Sequence, residues 1–275
     1  MMSEKFTRRT FIKTASTAVC ASTVLSTVQS AAGVQNTQPT PLRFAVASDG
    51  HFGQEETNYE KFHEEMMEWL NEEAKGKGLD FVIFNGDLIH NEPKFLPEVK
   101  AYYDRLDVPY FTAKGNHDMA SPEQWEETWG YGENYDFEKG DSAFLLGTTS
   151  NVEGEYLSVN IDWLKGRLSH YSEKRHIFAF FHISQRKVTR HGIDSPEVSS
   201  LLESTPNIAA VFHGHDHDID SFIYDNERAY LFDGHMGGGW GTNYRGYRIV
   251  EVDQEGKIHT YQCNPQAFVV NKTSL

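Results

Sequence analysis

Cysteine is almost missing from this chain: Cys20 and Cys263 are the only two among 275 residues. A disulfide-stapled scaffold is thereby excluded. Positive charge is also scarce, with 25 Lys and Arg against 40 Asp and Glu and a formal net charge of −15. Polymeric nucleic acid is therefore a poor candidate partner, because a phosphate backbone is bound by clustered cations. Small anions stay open if metal ions supply the charge. What is present, 39% hydrophobic, 13% aromatic and 24% charged residues, describes a soluble globular chain large enough to bury a full core and excludes disorder, collagen and coiled coil.

The N-terminus reads Thr7-Arg8-Arg9-Thr10-Phe11-Ile12-Lys13, followed by a Ser/Thr/Ala-rich run to about Ala32. It resembles a twin-arginine export signal, with Ser30-Ala31-Ala32 offering the small residues of a cleavage site. The alternative is a membrane anchor, but Thr14, Ser16, Thr17, Ser22, Thr23, Ser26 and Thr27 make the run too polar for a span of ~20 mostly apolar residues. The expected layout is a signal at 1–32, a linker at 33–41 and one domain over 42–275, exported to the periplasm or beyond by the twin-arginine machinery. Segment 1–32 carries Lys5, Arg8, Arg9 and Lys13 against Glu4, so its removal takes the charge from −15 to −18. It also leaves Cys263 alone, so no internal disulfide can form.

After Pro39 and Pro41, apolar runs of strand length alternate with helical patterns, which predicts an α/β architecture. Leu42 to Ser48, Asp80 to Asn85, Pro109 to Ala113, His176 to His182 and Ile208 to His213 read as buried strands. Tyr59, Phe62, Met66 and Leu70 give one helix its apolar face, with Gly76 and Gly78 as its stop. Ser121, Asn160 and Ser195 are candidate N-caps. From Ile219 the texture shifts to short runs that read as antiparallel strands.

The chemistry sits at the ends of the five buried runs. They are followed in turn by Asp49-Gly50-His51, Gly86-Asp87, Gly115-Asn116-His117-Asp118, His182, and Gly214-His215-Asp216-His217. Side chains just beyond the carboxyl ends of strands in α/β sheets converge on one crevice. Seven of these residues are plausible ligands, two carboxylates, one amide and four imidazoles with no thiolate, and such a set suits divalent Mn, Fe, Zn or Ni. Seven ligands exceed one tetrahedral ion and suit two ions in a hydrolytic centre.

In this order, D-x-H, G-D, G-N-H-D, a strand-end His and G-H-x-H resemble the calcineurin-like metallophosphoesterases over about residues 43–217. The resemblance implies a four-layer α-β-β-α sandwich of two mixed sheets flanked by helices. It implies Asp49, His51 and His217 on one metal, Asn116, His182 and His215 on the other, Asp87 bridging, and His117 as proton donor to the leaving group. Two cations would neutralise phosphoryl oxygens and generate a hydroxide that attacks phosphorus in line. Asp118 is expected to orient His117 and raise its pKa. The substrate expected is a small phosphomonoester or phosphodiester; a metal-dependent nuclease and a catalytically silent binding protein of the same fold are the alternatives.

Some residues fall outside this set. His213 is expected to be structural rather than an eighth ligand. His90 stands where purple acid phosphatases carry an iron-binding Tyr, which implies no tyrosinate colour here. Gly234 to Trp240, containing His235, reads either as a turn or as backbone approaching the substrate. Trp125, Trp129, Tyr131, Tyr135 and Phe137 fit core packing, or else a loop overhanging the metals.

Overall fold

Alternation along the first strand sorts the core. In this computed structural model, which describes residues 41–266 and 268–274, β1 (Leu42–Ala47) sends Phe44 and Val46 to one side and Ala45 and Ala47 to the other. Parallel to it run β2 (Phe81–Asn85) and then β3 (Tyr110–Ala113), which completes that edge of the sheet. On its other side, β10 (Tyr247–Val252), β11 (Ile258–Asn264) and β12 (Phe268–Ser274) add antiparallel strands, giving the order β12-β11-β10-β1-β2-β3.

The second sheet has the order β4-β5-β6-β7-β9-β8. Its centre is the parallel run β5 (Ser142–Gly147), β6 (His176–Phe181), β7 (Ile208–His213) and β9 (Arg228–Phe232), with β4 (Tyr135–Lys139) and β8 (Phe222–Asp225) antiparallel at the edges. Between the sheets lies a phenylalanine-rich layer of Phe44, Phe81, Phe144, Phe178, Phe180 and Phe212. Burial of such side chains contributes roughly 1.5–3 kcal/mol each, and the rings meet edge-on or stacked, as Phe44 does with Phe144 (5.5 Å) and Phe81 (5.2 Å).

Helices cover the outer faces. α1 (Tyr59–Lys77), α2 (Leu96–Tyr103) and α3 (Pro122–Trp129) pack Met66, Met67, Leu70, Val99, Trp125 and Trp129 on the first sheet. α4 (Ile161–His170) and α5 (Pro196–Ser204) pack Leu164, Leu168, Val198 and Leu202 on the second. This is the four-layer sandwich expected. Small Ala45 and Ala47 let the helices approach one face of β1, while the large residues fill the space between sheets.

Ser121 caps α3 as expected, in a capping box with Gln124, and Asn160 caps α4. Ser195 does not cap α5: its hydroxyl instead meets Ser158 at 2.6 Å. The helix starting at Tyr59 runs through Gly76 and stops at Gly78. The late strands are only partly antiparallel, since β9 pairs parallel to β7. Trp125, Trp129 and Phe137 are buried in the core, so they form no lid. The twin-arginine signal and nearly all of the linker lie outside the described residues. Among the described residues no helix is long and apolar enough to cross a membrane.

Candidate metal centre

Because β1, β2 and β3 are parallel, and β6 and β7 are parallel in the facing sheet, their carboxyl ends meet at one edge of the sandwich. Asp49 and His51 follow β1, Asp87 follows β2, Asn116 and His117 follow β3, His182 follows β6, and His215 and His217 follow β7. Backbone bonds stitch these ends together: Asp49 N donates to Gly86 O (3.0 Å), His51 N to Asp87 O (2.9 Å) and Gly237 N to Asp49 O (3.0 Å).

Four of the residues are held in the left-handed region: Asp49 (φ 58°), His51 (47°), Asp87 (52°) and His215 (67°). Such conformations cost of order 1–3 kcal/mol each and concentrate at functional sites. The glycines of the motifs answer a different need. A Cβ at Gly115 would stand 2.2 Å from Asp87 N and 2.3 Å from its Oδ1, and one at Gly214 would stand 2.5 Å from Asp49 Oδ2. The carboxylates occupy the space that any larger residue would fill.

Three groups of potential ligands result among the described residues: His51, His90 and His117 form one, and the other two each include a carboxylate. In the first of these two, Asp49, His51 and His217 offer atoms that all lie within 4.8 Å of one another, and so, in the second, do Asp87, His182 and His215. In the first, His217 Nε2 is 2.9 Å from both Asp49 Oδ1 and His51 Nε2. In the second, His182 Nε2 is 3.1 Å from Asp87 Oδ2, and Asp87 also lies 3.7 Å from His51 Nε2, so it faces both groups.

The donor set fits divalent metal. His182 Nδ1 donates to Asn85 O (2.7 Å) and His217 Nδ1 to Trp240 O (3.1 Å), which turns each Nε2 toward the centre and its carboxylates. His215 Nε2 and Asn116 Oδ1 are buried without hydrogen-bond partners, a costly arrangement that a cation would relieve. The local field agrees. Burial disfavours charge on His182, yet Asp87 and Asp49 raise its pKa to about 10. Asp87 is held well below the ordinary carboxylate range against its burial, chiefly by His182 and His51. Burial lowers His215 to about 4, keeping it a neutral ligand.

His117 stands beside the first group, its ring 4.9 Å from that of His51. Its backbone N–H donates to Asp87 Oδ1 at 2.7 Å, and its Nδ1 pairs with Asn91 Oδ1 at 2.6 Å. Asp118 corrects the expectation: it does not orient His117. Its fully buried carboxylate accepts the N–H groups of Leu88 (2.8 Å), Ile89 (3.1 Å) and Gly115 (2.7 Å), bracing the β2 loop against the β3 loop.

Three residues escaped the sequence reading. Asn91 gave no signal apart from its position after Gly86-Asp87. Tyr156, 43% exposed, sets its ring edge-on to His215 at 4.9 Å. Trp240, 45% exposed, stacks on His217 at 4.4 Å, so one aromatic flanks each group. His213 is structural as expected, donating Nδ1 to Phe181 O. His90 meets His51 Nδ1 at 3.0 Å and stacks on His117 at 4.9 Å. In the glycine-rich segment, Gly238 packs closely on the rings of His51 and His217, and His235 stacks on His217 at 5.3 Å, so this backbone braces the first group.

The architecture recurs in known proteins. A dimetal phosphatase from Danio rerio superposes with a TM-score of 0.68 at 13% identity, covering 85% of this chain and 98% of that one. GAP50, the anchor in the inner membrane complex of Plasmodium, gives 0.65 at 16% identity, covering 86% and 88%. A purple acid phosphatase from yellow lupin seeds gives 0.64 at 13% identity, covering 86% of this chain and 54% of that one. No curated protein matches the chain in sequence. These likenesses share a fold at low identity and leave the activity to the site. The model of the calcineurin-like phosphoesterase family matches residues 42–218, well over half of the sequence and every strand end described above; the chain belongs to that family.

Proposed function

We propose that this protein is an exported dinuclear-metal phosphoesterase acting on small phosphomonoesters or phosphodiesters. One observation carries the reading: two ligand groups, Asp49/His51/His217 and Asp87/His182/His215, lie side by side with Asp87 facing both. We assign Asn116, whose Oδ1 is buried without a hydrogen-bond partner, to the second group as well. Two divalent ions such as Mn, Fe or Zn, when bound, supply positive charge to the phosphoryl oxygens and lower the pKa of water. The chain's own part is positioning. Asp49 and Asp87 hold the negative charge that fixes cations in place, and the Nδ1 bonds of His182 and His217 aim Nε2 inward. His117, held through Nδ1 by Asn91, presents Nε2 as the proton donor to the departing ester oxygen. The acidic excess of a chain at −15 disfavours a polymeric nucleic acid. A silent binding role is disfavoured by the complete ligand set together with His117. Export rests on Arg8-Arg9 and the run that follows.

The test is the metal content of the purified protein together with hydrolysis of p-nitrophenyl phosphate and bis-p-nitrophenyl phosphate in Mn or Zn. About two ions per chain and turnover abolished by a chelator are expected. One ion or none after reloading would overturn the reading.

A further inference from the structure

The loop after β2 is zipped to the loop after β1. His51 N donates to Asp87 O (2.9 Å), Phe52 N to Leu88 O (3.0 Å) and His90 N to Phe52 O (2.9 Å). These bonds set His90 beside His51. No step of the proposed reaction uses His90, yet its surroundings are specific. Its Nδ1 lies 3.0 Å from His51 Nδ1, and its ring stacks on that of His117 at 4.9 Å with 11° between the planes.

We propose that His90 is a positioning residue, which holds the metal ligand His51 through its Nδ1 and the proton donor His117 through its ring face. The inference rests on the phosphoesterase reading above and adds a residue to it. The first argument is a proton count. Two ring nitrogens 3.0 Å apart share one proton. His51 Nε2 points at the centre, 2.9 Å from His217 Nε2 and 3.7 Å from Asp87 Oδ2. A cation held on that nitrogen needs its lone pair, so the proton of a neutral His51 sits on Nδ1 and His90 Nδ1 accepts it. His182 and His217 rest their Nδ1 atoms on the carbonyl oxygens of Asn85 and Trp240. His51 rests on a second imidazole instead, and this bond fixes the direction of its Nε2.

The second argument is the freedom left to His117. Its bond from Nδ1 to Asn91 Oδ1 is a single point of attachment, about which the ring can still tilt. The His90 face on one side and the His51 ring, inclined by 73° at 4.9 Å, remove that freedom. Ring pairs at such distances orient one another. The third argument is that these contacts already account for the ligand group that lacks a carboxylate, His51/His90/His117. His51 serves the first group through Nε2, and His117 Nδ1 is taken by Asn91. His90 and Asn91 are chain neighbours, so one short segment sets both a metal ligand and the proton donor.

Two substitutions in the full-length protein separate the two contacts. His90→Phe keeps a ring to stack and deletes the acceptor, whereas His90→Asn keeps an acceptor close to the place of Nδ1 and deletes the ring. Calorimetric titration of the metal-free protein with zinc should show affinity for one of two ions lowered about 10–100-fold in His90→Phe and unchanged in His90→Asn. Rates should show the reverse. With both ions saturating, the ratio of kcat on glycerol 1-phosphate to kcat on p-nitrophenyl phosphate should fall about twofold to tenfold in His90→Asn, the equivalent of one ring pair, and hold at the parent value in His90→Phe. Parent-like zinc affinity in His90→Phe, equal loss of affinity in both variants, or a parent-like ratio in His90→Asn would overturn the inference while leaving the phosphoesterase standing. So would a third zinc ion in the parent that both variants lose, because the three imidazoles would then be a cation site. With only p-nitrophenyl esters turned over, the zinc titration alone decides His90. With no ester turned over, the phosphoesterase reading fails and the same titration still decides.

Discussion

His117 and Asn91 are tied twice: His117 Nδ1 donates to Asn91 Oδ1 at 2.6 Å, and Asn91 N donates to His117 O at 2.8 Å. An amide oxygen only accepts, so His117 keeps its Nδ1 proton and any proton given to substrate leaves from Nε2. Asn91 sits at φ 65°, a conformation Asn tolerates and Gly adopts freely.

Asn91→Gly therefore removes the tether without backbone strain. It should lower kcat on an alkyl phosphoester by about tenfold, the equivalent of one hydrogen bond, with little change on p-nitrophenyl phosphate and none in metal content. Asn91→Asp keeps the tether and adds a charge that favours the imidazolium, so the alkaline limb of the kcat profile should move to higher pH. An unmoved limb would show that His117 is not the donor.

Asp87→Asn and His117→Ala should fail in different ways. The first removes the carboxylate that faces both ligand groups, so metal content and activity should fall together. The second should retain two ions and slow turnover by about 10²–10⁴-fold on substrates with poor leaving groups. Its effect should be least on p-nitrophenyl esters, whose leaving group needs no proton. Elemental analysis alongside rates across a leaving-group series checks both, and equal metal loss in the two variants would sink the assignment.

Gly115→Ala adds a methyl group and no charge, yet its Cβ would stand 2.2 Å from Asp87 N. The β2 loop must shift, so metal affinity should fall markedly, while the phenylalanine layer between the sheets, which this loop does not enter, still packs. Far-UV circular dichroism and a metal titration separate the two effects.

Stability should depend on pH through His63, which is fully buried beneath Gly50 with Nδ1 donating to Tyr59 O at 2.7 Å. Burial lowers its pKa from 6.5 to about 4. The native state thus binds this proton less readily than the unfolded chain, so stability is full above about pH 6.5 and is lost as pH falls toward about 4. The loss from this group is of order 3 kcal/mol. Urea unfolding at pH 7 and pH 4.5, in chelator so that metal release makes no contribution, should show a smaller decrease in His63→Asn than in the parent.

The sequence alone determined the strands that carry the site and the residues at their ends, because short apolar runs followed by Gly, Asp, His and Asn mark both strand and ligand locally. Asp49, His51, Asp87, His182, His215 and His217 were legible in this way, and parallel strand order explains why they meet. Tertiary structure alone decided which neighbour each polar group faces. Asp118 is adjacent to His117 in the chain, yet its carboxylate turns to the amides of Leu88, Ile89 and Gly115, while Asn91, 26 positions away, holds the imidazole. Trp240 and Tyr156 belong to the same class. Their exposure beside the metal ligands follows from how two sheets and their loops pack, and periodicity within one strand carries no record of the element on the other side of a crevice.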